Sequence, residues 1–326
     1  MKEFIINENE AGQRFDKYLA KLLREAPKSF FYKMMRKKNI TLNGKKATGN
    51  EKLFSGDHVK LFLSDETFEK FSGNDSAPRA HYALDIIYED ENILLINKPA
   101  GMLSQPADDG TPSLVEYLTG YLLKNGSLTE NDLRTFRPSV CNRLDRNTSG
   151  LIIAGKSLIG LQTMSEIIKK RSMDKFYLTL VSGYLDKTTT IKGYLKKDKK
   201  TNKVTISNKE TPDGKYIETK YEPIGFGENL TLLKVKLVTG RAHQIRAHLS
   251  SIGHGIIGDY KYGNKKINDI YKEKYGLKDQ LLHSWIMNFP EIKGALCDLS
   301  QQTIKAAVPE IFEKIIDENI QTPTEV

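Results

Sequence analysis

Apolar positions recur along this chain with two different periods, and the change of period divides it in two. Across residues 13–25, Phe15, Tyr18, Leu19, Leu22 and Leu23 stand at i, i+3, i+4, i+7 and i+8. That spacing predicts one amphipathic helix with a single buried stripe. Ser29 is a candidate N-cap for a second helix over 30–38. Its Lys33, Arg36, Lys37 and Lys38 cannot all face a core, so much of it is expected to meet solvent or a polyanion. Ile40-Thr41-Leu42, Asn43-Gly44 and Lys45-Lys46-Ala47 then read as a hairpin, because Asn-Gly accepts the positive φ that tight two-residue turns demand. Gly56-Asp57 marks a further turn before a strand over 58–63.

Residues 65–82 include Ser72-Gly73-Asn74-Asp75-Ser76-Ala77-Pro78, a polar, turn-forming stretch expected to link a domain at 1–64 to a second at 83–326. In the second, strands are predicted over 86–88, 93–97, 150–154, 176–181 and 230–238, and helices over 113–124, 157–171 and 243–252. Strands so irregularly separated, without βα alternation, predict an α+β fold rather than a doubly wound one. The charged segment 192–220 reads as hairpins or loops of undefined form, and the tail after Asp317 is expected to fray.

Composition narrows the class. The 326 residues carry no run approaching the ~20 apolar residues of a membrane span, and the first residues lack a signal-peptide core. Two cysteines, Cys141 and Cys297, supply neither a disulfide framework nor a zinc ribbon, so a reducing cytoplasm is expected. Net charge is +9 and unevenly placed: residues 1–63 hold 14 Lys/Arg against 7 Asp/Glu, and residues 26–50 hold seven cations and no acid. A module of one sign suits a nucleic-acid backbone, where each neutralised phosphate releases counterions; a solvated basic face is the plainer alternative.

Two segments carry candidate chemistry. In Cys141-Asn142-Arg143-Leu144-Asp145-Arg146-Asn147-Thr148-Ser149-Gly150, a polar loop leads through glycine into an apolar strand. Asp145, flanked by Arg143 and Arg146, is a candidate nucleophile or base, although a turn aspartate bonding its own backbone gives the same pattern. In Thr239-Gly240-Arg241-Ala242-His243-Gln244-Ile245-Arg246-Ala247-His248 a helix is expected to begin near His243. A metal reading of the histidines fails: five residues turn about 140° around a helix, whereas a chelating pair needs i, i+4. Donor-rich side chains at a helix start suit anions, and Arg246, one turn on, could pair with a carboxylate from another loop or serve an ordinary salt bridge.

These residues bring a resemblance into view. The helix, basic helix and hairpin of residues 14–45 resemble the alpha-L RNA-binding motif. Arg143-Leu144-Asp145 with Thr148-Ser149-Gly150, and the Gly-Arg-x-His-Gln-Ile-Arg-x-His box at 240–248, resemble the RluA family of pseudouridine synthases. Further matches in family order are Asp85-Ile86-Ile87-Tyr88-Glu89-Asp90, Asn97-Lys98-Pro99-Ala100-Gly101-Met102, Lys175-Phe176-Tyr177, Gly258-Asp259 with Tyr262-Gly263, and Leu282-His283. The resemblance implies a mainly antiparallel catalytic sheet behind a small α+β RNA-binding domain. It implies isomerisation of uridines in structured RNA, most expectedly large-subunit ribosomal RNA, by a monomer without metal or cofactor. Asp145 would be the essential aspartate, Tyr177 the ring stacking on uracil and suited to proton handling, and Arg246 the aspartate's partner. Arg143 would fill the gap left by the extruded nucleotide. Arg241, His243 and Gln244, with Lys33, Arg36, Lys37, Lys38 and Lys45 of the front module, would contact RNA. Asn142 stands where the signature usually has His, which puts one RNA contact in doubt. Transfer RNA as substrate, a silent ribosome-assembly factor, and a carboxylate hydrolase are the competing readings; the last lacks an evident second acid.

Overall fold

The computed structural model describes residues 1–73, 80–198, 201 and 203–321. The first module contains strand β1 (Lys2–Ile5), helices α1 (Phe15–Leu22) and α2 (Lys28–Arg36), strands β2 (Ile40–Leu42), β3 (Lys45–Lys46) and β4 (His58–Leu61), and helix α3 (Asp65–Ser72). The α1 stripe becomes its core: Phe15, Tyr18, Leu19, Leu22 and Leu23 are at most 2% exposed and pack with Phe31, Met35, Ile40, Val59 and Leu61. The strands pair in the order β1-β4-β2-β3. Asn43 and Gly44 bend β2 into β3 at φ 51 and 74, the conformation that Asn-Gly was expected to supply.

Three boundaries differ from expectation. The N-cap of α2 is Pro27, and Ser29 lies inside the helix. Lys37 is its C-cap and Lys38 stands at φ 59, so these two cations follow the helix rather than belong to it. Residues 65–72 are helix, not linker. Ser64 Oγ accepts the Thr67 N–H at 3.2 Å, and Phe68 joins the first core while Phe71 lies 4.7 Å from the Phe30 ring. The polarity of α3 hid this, because only its two phenylalanines face inward. The first module therefore extends to residue 73, and the linker core at 74–78 lies outside the described residues.

The second module runs β5 (Ile86–Glu89), β6 (Ile93–Lys98), α4 (Leu114–Lys124), β7 (Ser139–Val140), β8 (Ser149–Gly155), α5 (Leu158–Lys170), β9 (Asp174–Ser182), β10 (Thr189–Lys197), β11 (Val204–Ser207), β12 (Lys215–Gly227), β13 (Leu230–Leu237), α6 (Gln244–Ser251), α7 (Lys265–Tyr275), β14 (Leu282–Asn288), β15 (Thr303–Lys305) and α8 (Glu310–Asn319). Among the described residues the strands form one sheet ordered β11-β10-β12-β13-β9-β14-β8-β6-β5, with β15 on β14 and β7 on β8. Every pairing is antiparallel except β14 with β8, so the α+β, mainly antiparallel expectation holds. Successive residues of β6 and β8 enter opposite cores. Leu94, Ile96, Ile152 and Ala154 pack under α4, while Ile93, Leu95, Leu151 and Ile153 pack against Met164 of α5.

The segment 192–220 resolves into β10, β11 and the start of β12. Its inward positions include Gly193 and Thr219, small or polar enough to conceal a period of two. The tail holds helix until Asn319, with Phe312 and Ile315 at 1% and 0% exposure, and Gln321 pairs with Phe226. Frayed structure from Asp317 is thus not found up to residue 321. The modules touch where Arg24 Nη2 donates to the Leu133 carbonyl at 3.0 Å and the Thr135 hydroxyl donates to the Glu10 carboxylate. No helix among the described residues is long and apolar enough to cross a membrane.

Candidate active site

Asp145 lies in the loop between β7 and β8, and the loop is pinned from several sides. Asn142 acts as a surrogate strand residue: its Oδ1 accepts the Ile153 N–H at 2.8 Å and its Nδ2 donates to the Leu151 carbonyl at 3.3 Å. Ser104 Oγ accepts the Leu144 N–H at 3.1 Å and donates to the Leu144 carbonyl at 2.7 Å. Lys98, wholly buried, donates to the carbonyls of Pro99, Met102 and Arg146 at 2.7, 2.9 and 3.1 Å. Burial pulls its ammonium down to about 7, against the opposing charges of Asp279 and Asp145. Gly150, second in β8, stands at φ 106, and a Cβ there would stand 2.2 Å from the Ser284 carbonyl oxygen. Only glycine permits β8 and β14 to approach this closely.

Helix α6 brings the counter-charge. Arg246 Nη1 donates to Asp145 Oδ2 at 2.8 Å. Its remaining fork is taken by Asp259, with Nε to Oδ2 at 2.7 Å and Nη2 to Oδ1 at 2.9 Å. Burial opposes the guanidinium charge, but the Asp259 hydrogen bonds and the two carboxylates outweigh it and hold its pKa above the ordinary arginine value. The Tyr262 ring lies 5.1 Å from the guanidinium carbon, and the Tyr262 hydroxyl meets His243 Nδ1 at 2.8 Å. That hydroxyl also accepts the Val204 N–H at 3.0 Å, so donating its own proton to Nδ1 satisfies both groups. Imidazole then carries its hydrogen on Nε2, 3.9 Å from Asp145 Oδ1. Burial lowers the His243 pKa, with Arg246 assisting and Asp145 opposing, which favours the neutral ring.

These groups open on a cleft of about 750 Å³. Tyr177 of β9 lines it, only 6% exposed, and burial pushes its hydroxyl up to about 12 with Asp145 adding to the shift. Arg143 and Arg241 are exposed on its rim, Arg143 Nη1 reaching Gln105 Oε1 at 3.4 Å.

A family model described as RNA pseudouridylate synthase matches residues 92–251. An uncharacterized RNA pseudouridine synthase of Mycoplasma genitalium is 31% identical over 324 residues, covering 96% of this chain and 98% of that one. The chain belongs to the RNA pseudouridine synthase family. Its RluA-type members are represented by the ribosomal large subunit pseudouridine synthase C of Vibrio parahaemolyticus, 32% identical over 296 residues and 87% of each chain. The solved human RNA pseudouridylate synthase domain containing 4 shares the fold at a TM-score of 0.58 and 19% identity, over 73% of this chain and 94% of that one.

In this synthase the structure gathers Asp145, Tyr177, Arg246, Arg143, Arg241, His243 and Gln244 around one cleft. Lys33, Arg36, Lys37, Lys38 and Lys45 stand apart from it, all exposed on the first module. Gln244 needs correcting as an RNA contact. Its Oε1 accepts from the Thr239 hydroxyl and the Arg241 N–H, and its Nε2 donates to the Glu218 carbonyl and Thr219 Oγ1, at 2.9–3.1 Å. Both acceptor sites and both donors are spent inside the fold, so Gln244 braces α6 against β12. His248 likewise turns inward, its Nδ1 2.9 Å from Thr219 Oγ1. Asp259, Tyr262 and Lys98 stand in the sequence only as motif positions, with no role that the pattern assigns. For Asp259 the available signal was a carboxylate thirteen residues after Arg246.

Proposed function

We propose that the synthase isomerises uridine in large-subunit ribosomal RNA, with Asp145 as the acting carboxylate. The single observation carrying this is the cleft carboxylate held at 2.8 Å by Arg246, itself anchored by a buried second acid. The reaction breaks the bond between ribose C1′ and uracil N1, turns the base, and joins C1′ to C5. The C5 proton is then lost and N1 gains one, so atoms and charge balance without oxidant or reductant. Arg246 keeps the carboxylate ionised and aimed, and the neutral His243 stands with Nε2 3.9 Å from its other oxygen.

A stacked uridine cannot undergo this turn, so the nucleotide leaves the stack at a cost of a few kcal/mol. The Tyr177 ring offers a face for the extruded uracil, where base stacking is worth roughly 1–3 kcal/mol. Its raised pKa leaves the phenol protonated at neutral pH, which favours stacking and donation over the proton-accepting role also open to it. Arg143, exposed at the rim, would occupy the vacated position. Asn142 spends its amide on β8, so the position where the family signature has His serves this chain as a loop anchor. The exposed cations of α2 and the β2–β3 bend make the first module the RNA-holding arm of a protein acting as a monomer in the cytoplasm. Large-subunit rather than transfer RNA is favoured by relatives at 30–32% identity that are named ribosomal large subunit synthases. Pseudouridine sequencing of both RNA classes, with and without the gene, tests the reading. Loss of signal confined to large-subunit RNA is expected; loss confined to transfer RNA would refute it.

A further inference from the structure

The lining of the cleft also carries charge that the mechanism does not use. Lys169, Arg171 and Lys175 line it where α5 turns into β9, and Lys197 faces it from β10. Among the described residues Asp145 is the only acid lining the cleft, and it is taken by Arg246. Lys175 stands out. It is half-buried, its Nζ lies 3.8 Å from where a Gly240 Cβ would be, and the described residues give that ammonium no hydrogen bond or ion pair. Desolvation first, then the nearby Arg171 guanidinium, lower its pKa. Two cations pressed together without an acid are costly in a free protein. Asp174, next in sequence, is no remedy, because it pairs with Lys236 at 2.6 Å. Arg171 holds a left-handed backbone at φ 56, ending α5, and its side chain is exposed and unpaired among the described residues.

We propose that Lys175 and Arg171 form a phosphodiester-binding site that holds the RNA backbone beside the extruded nucleotide. Register supports the ligand class. Lys175 and Tyr177 are two apart on β9, so both side chains leave the same face of the sheet, roughly 7 Å apart along the strand. A base on Tyr177 and a phosphate on Lys175 therefore fit one nucleotide and its neighbour. One phosphodiester between them would offset the repulsion between the two cations, which accounts for the absence of a protein acid from the space. This site rests on the reading of the protein as an RNA-modifying enzyme, and it adds which residues grip the strand within the cleft.

The test is binding of an unmodified large-subunit ribosomal RNA transcript by the full chain across a salt series. Unsubstituted protein, Lys175→Gln, Arg171→Gln and Lys175→Arg are compared, with thermal unfolding of each. Each Gln variant should lower the slope of log K against log salt by up to about 0.7, the value for the one single-strand phosphate that the two cations share. Lys175→Gln should raise KM by a larger factor than it lowers kcat, and Lys175→Arg should restore the slope. Removing an unpaired half-buried charge should leave Tm unchanged or raised, whereas replacing a structural lysine would lower it. An unchanged slope, or affinity that falls only in step with Tm, overturns the proposal. Turnover by the unsubstituted protein tests the underlying reading separately, since it does not depend on the slope.

Discussion

Asp259→Asn separates what holds the site together from what performs the reaction. The Asp259 side chain is fully buried and that of Arg246 is 9% exposed, so solvent screens this pair little. Asp259 Oδ1 also accepts the N–H groups of Lys261 and Tyr262 at 2.9 and 3.1 Å. An asparagine would keep its oxygen there and turn its NH2 towards Arg246 Nε, setting donor against donor. Removing one partner of a buried pair costs about 3–5 kcal/mol. Arg246 keeps its bond to Asp145, which places the expected loss near the lower figure, about 3 kcal/mol. The tether that aims Asp145 is also loosened, and a misplacement of about 1 Å can cost roughly 100-fold in rate. Urea unfolding gives the first quantity, and single-turnover pseudouridine formation well below the variant's Tm gives the second. The double substitution Arg246→Met with Asp259→Leu sharpens the test, because replacing both members of a buried pair by apolar groups is often close to neutral. It should recover part of the stability, because the Lys261 and Tyr262 N–H groups lose their acceptor, and none of the rate. A single variant within about 1 kcal/mol of the parent, well short of the cost of a broken buried pair, would refute the assigned coupling, as would a double variant that regains activity.

Two further outcomes follow from charge placement. His283 is wholly buried, with Nδ1 2.9 Å from Ser149 Oγ, and burial pulls its pKa to about 4 from 6.5; His248 shifts the same way for the same reason. A folded pKa below the unfolded one means that protonation favours unfolding. Stability should therefore be full above about pH 6.5 and fall as pH drops towards 4, with His283 contributing up to about 1.4 kcal/mol per pH unit. Urea midpoints at about pH 7, 6 and 5, spanning this window, measure the effect. His283→Asn should flatten the dependence; a slope it leaves unaltered would count against the account. Replacing Lys33, Arg36, Lys37 and Lys38 together by Gln should reduce the salt slope of RNA binding by about 0.7 for each phosphate these cations neutralise in the parent. A retained slope would remove the first module from the RNA interface.

Much of this architecture was legible because apolar periodicity and burial agree. The α1 stripe, the Asn43-Gly44 bend and strands β6 and β8 all follow from side chains that choose a face by hydrophobicity alone. Where inward positions are small or polar, as at Gly193 and Thr219, the same rule is blind, and the segment holding β10 and β11 reads only as hairpins or loops of undefined form. Helix α3 escaped for a related reason, being polar apart from Phe68 and Phe71. At the site, Asp145 and Arg246 were visible as motif residues, and their 2.8 Å contact bridges 101 positions. Gln244 misled because a donor-rich side chain at a helix start looks available to a ligand until its four partners are seen. Lys98, Asp259 and Tyr262 act through contacts that tertiary structure alone creates.

Asp145→Asn gives the most direct measurement of the central claim, because it alters charge and proton-accepting power while nearly preserving shape. Purified full-length protein is incubated with unmodified large-subunit ribosomal RNA, and both pseudouridine formed and RNA bound are quantified. The account predicts no detectable turnover with an RNA dissociation constant close to that of the parent. Pseudouridine formed by the variant at a rate near the parent's would contradict it.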